Sequence, residues 1–345
     1  HTFTAGYHYD QWYYDSEKWN ASDWKNDIRS TLSQGTEGKT QTHALFLQDE
    51  WDLTDMFSLY LGARYEWWKA FDGEKSVDDG STIITSNLAD REEDHISPKF
   101  AVTFKPEEDW NIRFSAAWAY RFPTVGELFQ ETLASDGTIT KGNADLKSEK
   151  AFSKDLTFIR TIGHDSRVRL SFYEEDVKNV IWQYENDDTG VNNYQNMDEV
   201  RTRGVEFAFN KKRFFFDNVD FTYNLAYTDS KVIRNDANAS SVDKQFLRVP
   251  KWRSKALVTY YPTEKLTWSI GGRYASRGYN DIDNSDIQGG YGGVDDYLVF
   301  DTKISHKFLK KWTVSLAVDN VTDEEYFVSH PYNKRTWFVE VKYDY

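Results

Sequence analysis

The sequence predicts an all-β protein, a transmembrane antiparallel β-barrel, and three observations carry that reading. Period-two alternation of apolar and polar residues recurs about fourteen times along 345 residues. The segments between these runs alternate short and long. Aromatics supply 17% of the chain, with 13 Trp, 22 Tyr and 23 Phe, and such side chains suit strands and membrane interfaces.

The last stretch, 335–345, shows the unit in clearest form. Trp337, Val339, Val341, Tyr343 and Tyr345 alternate with Thr336, Phe338, Glu340, Lys342 and Asp344. A strand of about ten residues, apolar on one face and charged on the other, is long enough to cross an outer membrane. A soluble edge strand can look the same, so it is the repetition that decides for the barrel.

Mean hydropathy is −0.74, and no run of 18 apolar residues offers a membrane helix. A barrel escapes that objection, because only alternate residues of each strand meet lipid. A net charge of −14 argues against a phosphate-backbone ligand and hence against nucleic acid as a partner. Cys is absent, which fits passage through an oxidising periplasm and excludes little else. The chain opens His-Thr-Phe-Thr with no leader in view, and it reads as a fragment of a longer, processed protein.

In order, residues 2–13 form a first strand, with Phe3, Ala5, Tyr7 and Tyr9 on one parity. A polar stretch of about 25 residues then reads as a long connection. Strands at 42–53 and about 59–67 make a hairpin around Thr54-Asp55-Met56-Phe57, with Leu59, Leu61, Ala63, Tyr65 and Trp67 expected toward lipid and Tyr60, Arg64 and Glu66 toward the lumen. The segment 72–94 holds eight acids against Lys75 and Arg91 and reads as a solvated loop. Two strands, one through Ile96–Phe104 and one through Ile112–Tyr120, flank a turn at 105–109; Pro98, which donates no ladder bond, is expected near the rim.

Further strands are expected near 150–160, 167–181, 198–210, 218–229, 251–261, 265–277, 296–307, 312–325 and 335–345. Short connections fall at 161–166, 211–217, 262–264 and 308–311; long polar ones fall at 122–149, 183–197, 230–248 and 278–295. A sandwich has no reason to maintain that alternation, whereas a membrane barrel has short periplasmic turns and long outer loops. Helix is expected only as a turn within a loop, around 124–130.

The inward parity carries Arg64, Glu66, Arg113, Arg121, Arg169, Arg273, Glu340 and Lys342, which fits a polar lumen and also the solvent face of a sheet. The acidic run Asn280-Asp281-Ile282-Asp283-Asn284-Ser285-Asp286 has no Gly or Glu at the calcium-loop positions that require them, and it reads as a solvated loop. The 7 His show no paired metal spacing, and without Cys there is no thiolate site. No phosphate loop or nucleophile elbow appears. No catalytic residue, metal site or cofactor is assigned, and nothing commends an enzyme.

Five blocks, in order, resemble those of TonB-dependent outer-membrane receptors of the siderophore-receptor type. Arg121-Phe122-Pro123-Thr124-Val125-Gly126-Glu127-Leu128 and Asn143-Ala144-Asp145-Leu146-Lys147-Ser148-Glu149 are similar to the family's Phe-Arg-x-Pro…Glu-Leu and Asn-Pro-x-Leu-Lys-Pro-Glu. Arg203-Gly204-Val205-Glu206 is similar to its Gly-x-Glu strand, and Asp319-Asn320-Val321-Thr322-Asp323-Glu324-Glu325-Tyr326 to its Asn-Leu-Phe-Asp-x-x-Tyr. Lys334-Arg335-Thr336 leads into a closing aromatic strand as the family's last segment does. Ala144 and Ser148 stand where the family prefers Pro, Lys334 where it prefers Gly, and Tyr345 where it usually ends in Phe.

The resemblance implies that residues 1–345 are the C-terminal part of a receptor barrel, about 14 of 22 strands, with the plug domain and first strands absent and the sheet unclosed. It implies TonB-coupled import of a scarce nutrient, most often a ferric siderophore, with TonB acting through the absent N-terminal region and with outer-membrane lipid and lipopolysaccharide as surroundings. Cobalamin, haem or a glycan are the alternative cargoes. A complete fourteen-stranded passive channel, or a soluble glycan-binding β-protein, are the rival readings. By position, ligand contacts are expected at Trp12, Trp68, Arg121, Tyr279 and Tyr291, since aromatic and Arg groups suit flat anionic chelates.

Overall fold

A computed structural model describes residues 1–78, 81–133, 139–184, 191–287 and 289–345. Among the described residues, fourteen strands of eight residues or more follow one another as an antiparallel meander. They are β1 (Thr2–Asp23), β2 (Ile28–Asp52), β3 (Phe57–Asp78), β4 (Arg91–Phe104), β5 (Trp110–Arg121), β6 (Glu149–Ile162) and β7 (Ser166–Tyr184). The second half holds β8 (Val191–Lys211), β9 (Val219–Arg234), β10 (Trp252–Thr263), β11 (Leu266–Ala275), β12 (Tyr297–Phe308), β13 (Trp312–Asp319) and β14 (Thr336–Tyr343).

Each strand pairs with its neighbour in sequence, from β1–β2 through to β13–β14. Three short strands, Ile83–Asn87, Glu131–Leu133 and Ile139–Lys141, join the same sheet. The last of these runs parallel to the start of β8. Among the described residues no ladder joins β1 to β14, so the sheet is open, as the resemblance implies.

The register follows the alternation. Leu59, Leu61, Ala63, Tyr65 and Trp67 of β3 sit opposite Trp51, Asp49, Leu47, Leu45 and His43 of β2, and opposite Val102, Phe100, Pro98, Ile96 and Asp94 of β4. Leu61 and Tyr65 are exposed, whereas Gly62, Arg64 and Glu66 are half-buried and Trp68 is buried. The polar face satisfies itself by short pairs: Arg64 Nε donates to Glu66 Oε1 at 2.7 Å, Lys303 Nζ to Glu340 Oε2 at 2.8 Å, and Arg273 Nη2 to Asp301 Oδ1 at 3.2 Å.

Strand lengths depart from expectation at the long-loop end. The polar stretch after Tyr13 is strand: β1 and β2 run on for 22 and 25 residues and close at a 3-10 turn, Trp24–Asn26. Asp23 caps this turn by accepting from Lys25 N at 3.0 Å, and Asp27 takes a left-handed φ of 53°. Both faces of a hairpin standing above the membrane are wet, so the period of two vanishes although the ladder continues. The acidic segment 72–94 likewise contains the end of β3, the strand Ile83–Asn87 folded back on it, and the start of β4. Residues 79–80, 134–138, 185–190 and 288 of the expected loops lie outside the described residues. At the same end β13 stops at Asp319, well before 325.

Pro98 lies inside β4 rather than at its rim. Its residue pairs with Ala63 on the β3 side, and the β4–β5 ladder begins only at Lys99, where the missing N–H no longer matters.

The register gives a direct test. Spin labels at Leu61 and at Gly62 of the full-length protein in bilayers are expected to show opposite accessibilities, oxygen-rich at 61 and water-rich at 62. A one-residue slip would turn Arg64 into hydrocarbon at about 2–4 kcal/mol, so equal accessibilities would refute this register.

Candidate functional site: the loop-lined mouth

At the long-loop end, the segment after β5 folds back onto the inner face of the sheet. Pro123 ends the strand, and Thr124 starts a one-turn helix, α1 (Val125–Phe129), with a capping box. Glu127 N donates to Thr124 Oγ1 at 3.2 Å, and Thr124 N donates to Glu127 Oε2 at 2.8 Å. Leu128 and Phe129 then lie against Trp68, Ala70, Leu146 and Ile181, all buried, with Phe122, Leu88 and Tyr194 around them. Trp68 and Phe122 are stacked at 5.4 Å. The Phe129 ring fits only because Gly38 and Gly73 lack side chains; a Cβ at those positions would come within 2.3 Å and 2.8 Å of it.

Arg121 holds this shelf in place. Its Nε and Nη2 donate to the two oxygens of Glu149 at 2.8 and 2.7 Å, a bidentate fork, while Nη1 reaches Glu127 at 3.0 Å. Glu149 Oε1 also accepts from Ile181 N at 2.8 Å. One guanidinium thereby ties β5, α1, β6 and β7. The return segment is fastened equally: Lys147 N donates to Asn196 Oδ1 at 2.8 Å, and Asn143 Nδ2 to Tyr194 O at 3.0 Å.

A second polar knot backs the shelf from β4. Arg91 Nη2 donates to Glu93 Oε1 at 2.6 Å, Arg91 Nη1 bonds Ala144 O, and the Ser148 hydroxyl donates to Glu93. His95 Nε2 lies 3.4 Å from Glu93 Oε2, and its ring stacks on Tyr120 at 3.9 Å. In the sequence Arg91 and Glu93 read as part of a solvated loop. The alternation Arg91-Glu92-Glu93-Asp94-His95 was the available signal, hidden because both parities are charged.

The other loops are laced to one another. Phe246 packs on Trp182 at 5.6 Å beside the buried Val180, Met197, Val200 and Val232. Gln245 N donates to Asn284 Oδ1 at 2.8 Å, and Asn284 Nδ2 returns to Gln245 O at 2.9 Å. In the acidic run, Asp286 accepts from Asn280 N at 2.7 Å. The Ser285 hydroxyl and amide hold the Asp283 carboxyl below its usual range. Phe327 N donates to Asp295 Oδ2 at 3.0 Å, joining the last two loops.

These contacts place the sequence-expected ligand residues in three groups. Trp68 and Arg121 meet in the shelf, Trp68 being 3% exposed and Arg121 half-covered with its donors engaged. Tyr279 and Tyr291 share the loop after β11: Tyr279 is half-buried and its carbonyl accepts from Arg248 N at 2.9 Å. Tyr291 is 77% exposed, with His330 edge-on at 5.2 Å. Trp12 stands apart, exposed on the inner parity of β1, opposite Thr40.

Two of the remaining blocks have equally local reasons. A Cβ on Gly204 would meet Tyr227 O at 2.3 Å and Tyr173 Oη at 2.5 Å, because the Tyr173 hydroxyl crosses it to reach Thr228 Oγ1 at 2.8 Å. Asn320, at a left-handed φ of 54° and 3% exposed, accepts from Glu324 N at 2.9 Å and donates to Glu324 O at 2.7 Å. Arg335 N closes the turn on Asp323 Oδ1 at 2.9 Å.

Replacing Arg121 by Ala strands two part-buried carboxylates, at an expected cost of about 1–3 kcal/mol. Amide exchange across 125–129 should accelerate in the full-length protein, and Arg121→Lys should rescue it only in part, since an ammonium cannot fork. Gly204→Ala should destabilise the fold by about 1–3 kcal/mol, read as a lower urea midpoint, because its nearest clash is with backbone.

The family model for the TonB dependent receptor-like β-barrel matches residues 1–321. The chain is 23% identical over 329 residues to the iron-regulated outer membrane virulence protein of Vibrio cholerae, covering 85% of this chain and 45% of that protein. It is 26% identical over 254 residues to the vitamin B12 transporter BtuB of Vibrio cholerae, covering 70% of this chain and 36% of that one. It therefore spans less than half the length of these relatives. The ferric-catecholate import receptor Fiu of E. coli K12 superposes with a TM-score of 0.75 at 16% identity, over 99% of this chain and 51% of Fiu. The chain belongs to the TonB-dependent receptors of the bacterial outer membrane, as part of their β-barrel.

Proposed function

We propose that this chain is the C-terminal part of the barrel of a receptor that imports a ferric siderophore, energised by TonB through an N-terminal region and plug domain outside these residues. The observation that carries the reading is the mouth: a shelf welded to the inner wall, and exposed aromatic faces elsewhere on β1 and in the loop after β11. Trp12 and Tyr291, 65% and 77% exposed, are free to stack on a flat chelate. The iron-regulated relative, alike over 85% of this chain, supports iron as the cargo's metal.

Within this reading Trp12, Tyr279 and Tyr291 touch the ligand. Trp68 and Arg121 act from behind, holding the shelf that shapes the entrance. Rigid support of this kind lowers the ordering cost of binding.

A strain lacking the full-length gene, grown under iron limitation, should lose rescue by at least one purified ferric siderophore and recover it on complementation. Trp12→Ala and Tyr291→Ala should each weaken ligand binding by roughly threefold to thirtyfold, the range for one cation or aromatic contact. Dependence of cobalamin or glycan uptake alone on the gene would overturn the substrate reading while leaving the receptor fold intact.

A further inference from the structure

The short-turn end of the sheet carries two turns that expose apolar tips at a conformational cost. Between β8 and β9 the sequence is Lys211-Lys212-Arg213-Phe214-Phe215-Phe216-Asp217-Asn218. Arg213 and Phe215 take φ values of 53° and 59°. That left-handed region is unusual for any side chain and an outlier for a bulky one. Phe215 and Phe216 are nevertheless 84% and 68% exposed.

The turn is anchored, not frayed. Phe214 N donates to Val219 O at 2.7 Å, Lys212 N donates to Asp165 O at 2.8 Å, and Arg213 pairs with Asp165 of the neighbouring turn. The turn between β12 and β13 repeats the pattern. Leu309 and Lys310 take φ values of 48° and 63°, and Leu309 is 79% exposed beside Lys310 and Lys311.

Both tips continue the lipid-facing belt. Phe214 stacks on Phe221 at 4.9 Å and meets Phe209 edge-on at 6.2 Å, so aromatic surface runs unbroken from β8 and β9 into the turn. At the second turn, Phe308, Trp312 and Tyr343 follow one another, and Lys311 Nζ sits 5.6 Å from the Tyr343 ring centre. The β4–β5 turn differs, carrying Glu107, Glu108 and Asp109. An apolar tip with cations on one side of it in sequence, next to an apolar belt, suits the boundary between acyl chains and anionic headgroups.

We propose that the turns at 212–218 and 309–311 dock on anionic phospholipid in the periplasmic leaflet. Phe215, Phe216 and Leu309 enter the acyl boundary, and Lys212, Lys310 and Lys311 meet phosphate. The two turns fix one side of the barrel in depth, while the acidic β4–β5 turn stays in water.

The test uses the full-length receptor in detergent, with phosphatidylglycerol or phosphatidylcholine added and bound lipid counted by native mass spectrometry. Folding of every variant is checked by heat-modifiable gel mobility. Phosphatidylglycerol retention should fall by roughly fivefold for each cation removed in Lys212→Gln, Lys310→Gln and Lys311→Gln, with phosphatidylcholine little changed. Phe215→Ser with Phe216→Ser should lower retention of both lipids. Glu107→Gln with Glu108→Gln should leave the lysine-dependent preference as it is. Unchanged phosphatidylglycerol retention in the lysine and phenylalanine variants would overturn the proposal. So would an equal loss in all variants, or loss of a co-purifying periplasmic protein with lipid binding intact.

Discussion

A backbone amide that faces lipid has no water to bond, so it must find its partner in the chain itself. Everything in this structure follows from meeting that demand with a ladder rather than a helix. Neighbouring strands in sequence become neighbours in space, because a hairpin pairs them at the least loop-closure cost. Once paired, successive side chains face opposite sides, and the membrane need select only every second residue. A chain with a mean hydropathy of −0.74 can thus line a bilayer.

Above the membrane the same ladder persists for another reason. Strands of 22 and 25 residues carry β1 and β2 far beyond the ten or so that a bilayer requires. There the sheet serves as scaffold for the loops, and its inner face is where they settle. The shelf built from 122–129 and 142–148 is held by apolar burial and by one forked guanidinium, each compensating for the other's weakness. The apolar contacts have no direction, and the Arg121 fork supplies it.

The five resemblance blocks turn out to be joints. Arg121 and Glu149 belong to the first two blocks and bond each other across β5 and β6. Gly204 leaves room for the Tyr173 hydroxyl to cross the strand. Asn320 and Asp323 fold the outer turn and receive Arg335 from the final block. Two of the departures fit too. Ser148 offers Glu93 a hydroxyl that Pro lacks, and Lys334, in place of Gly, pairs with Glu325, which raises its pKa.

The sequence alone determined the fold class, the fourteen strands, their order and which parity of β3 carries the exposed apolar side chains. All of these are written in local alternation, and lipid enforces that alternation residue by residue. It could not show how far β1, β2 and β3 extend, because above the membrane both faces of a strand are wet and the period disappears. Nor could it show that Trp68 is sealed under Phe122, Leu128 and Phe129, or that Arg91 and Glu93 reach Ala144 and Ser148, since those contacts join residues roughly fifty to sixty positions apart. Tertiary structure decided which of the aromatic and charged groups face outward into the mouth and which hold its wall, because only packing determines what a given side chain is covered by.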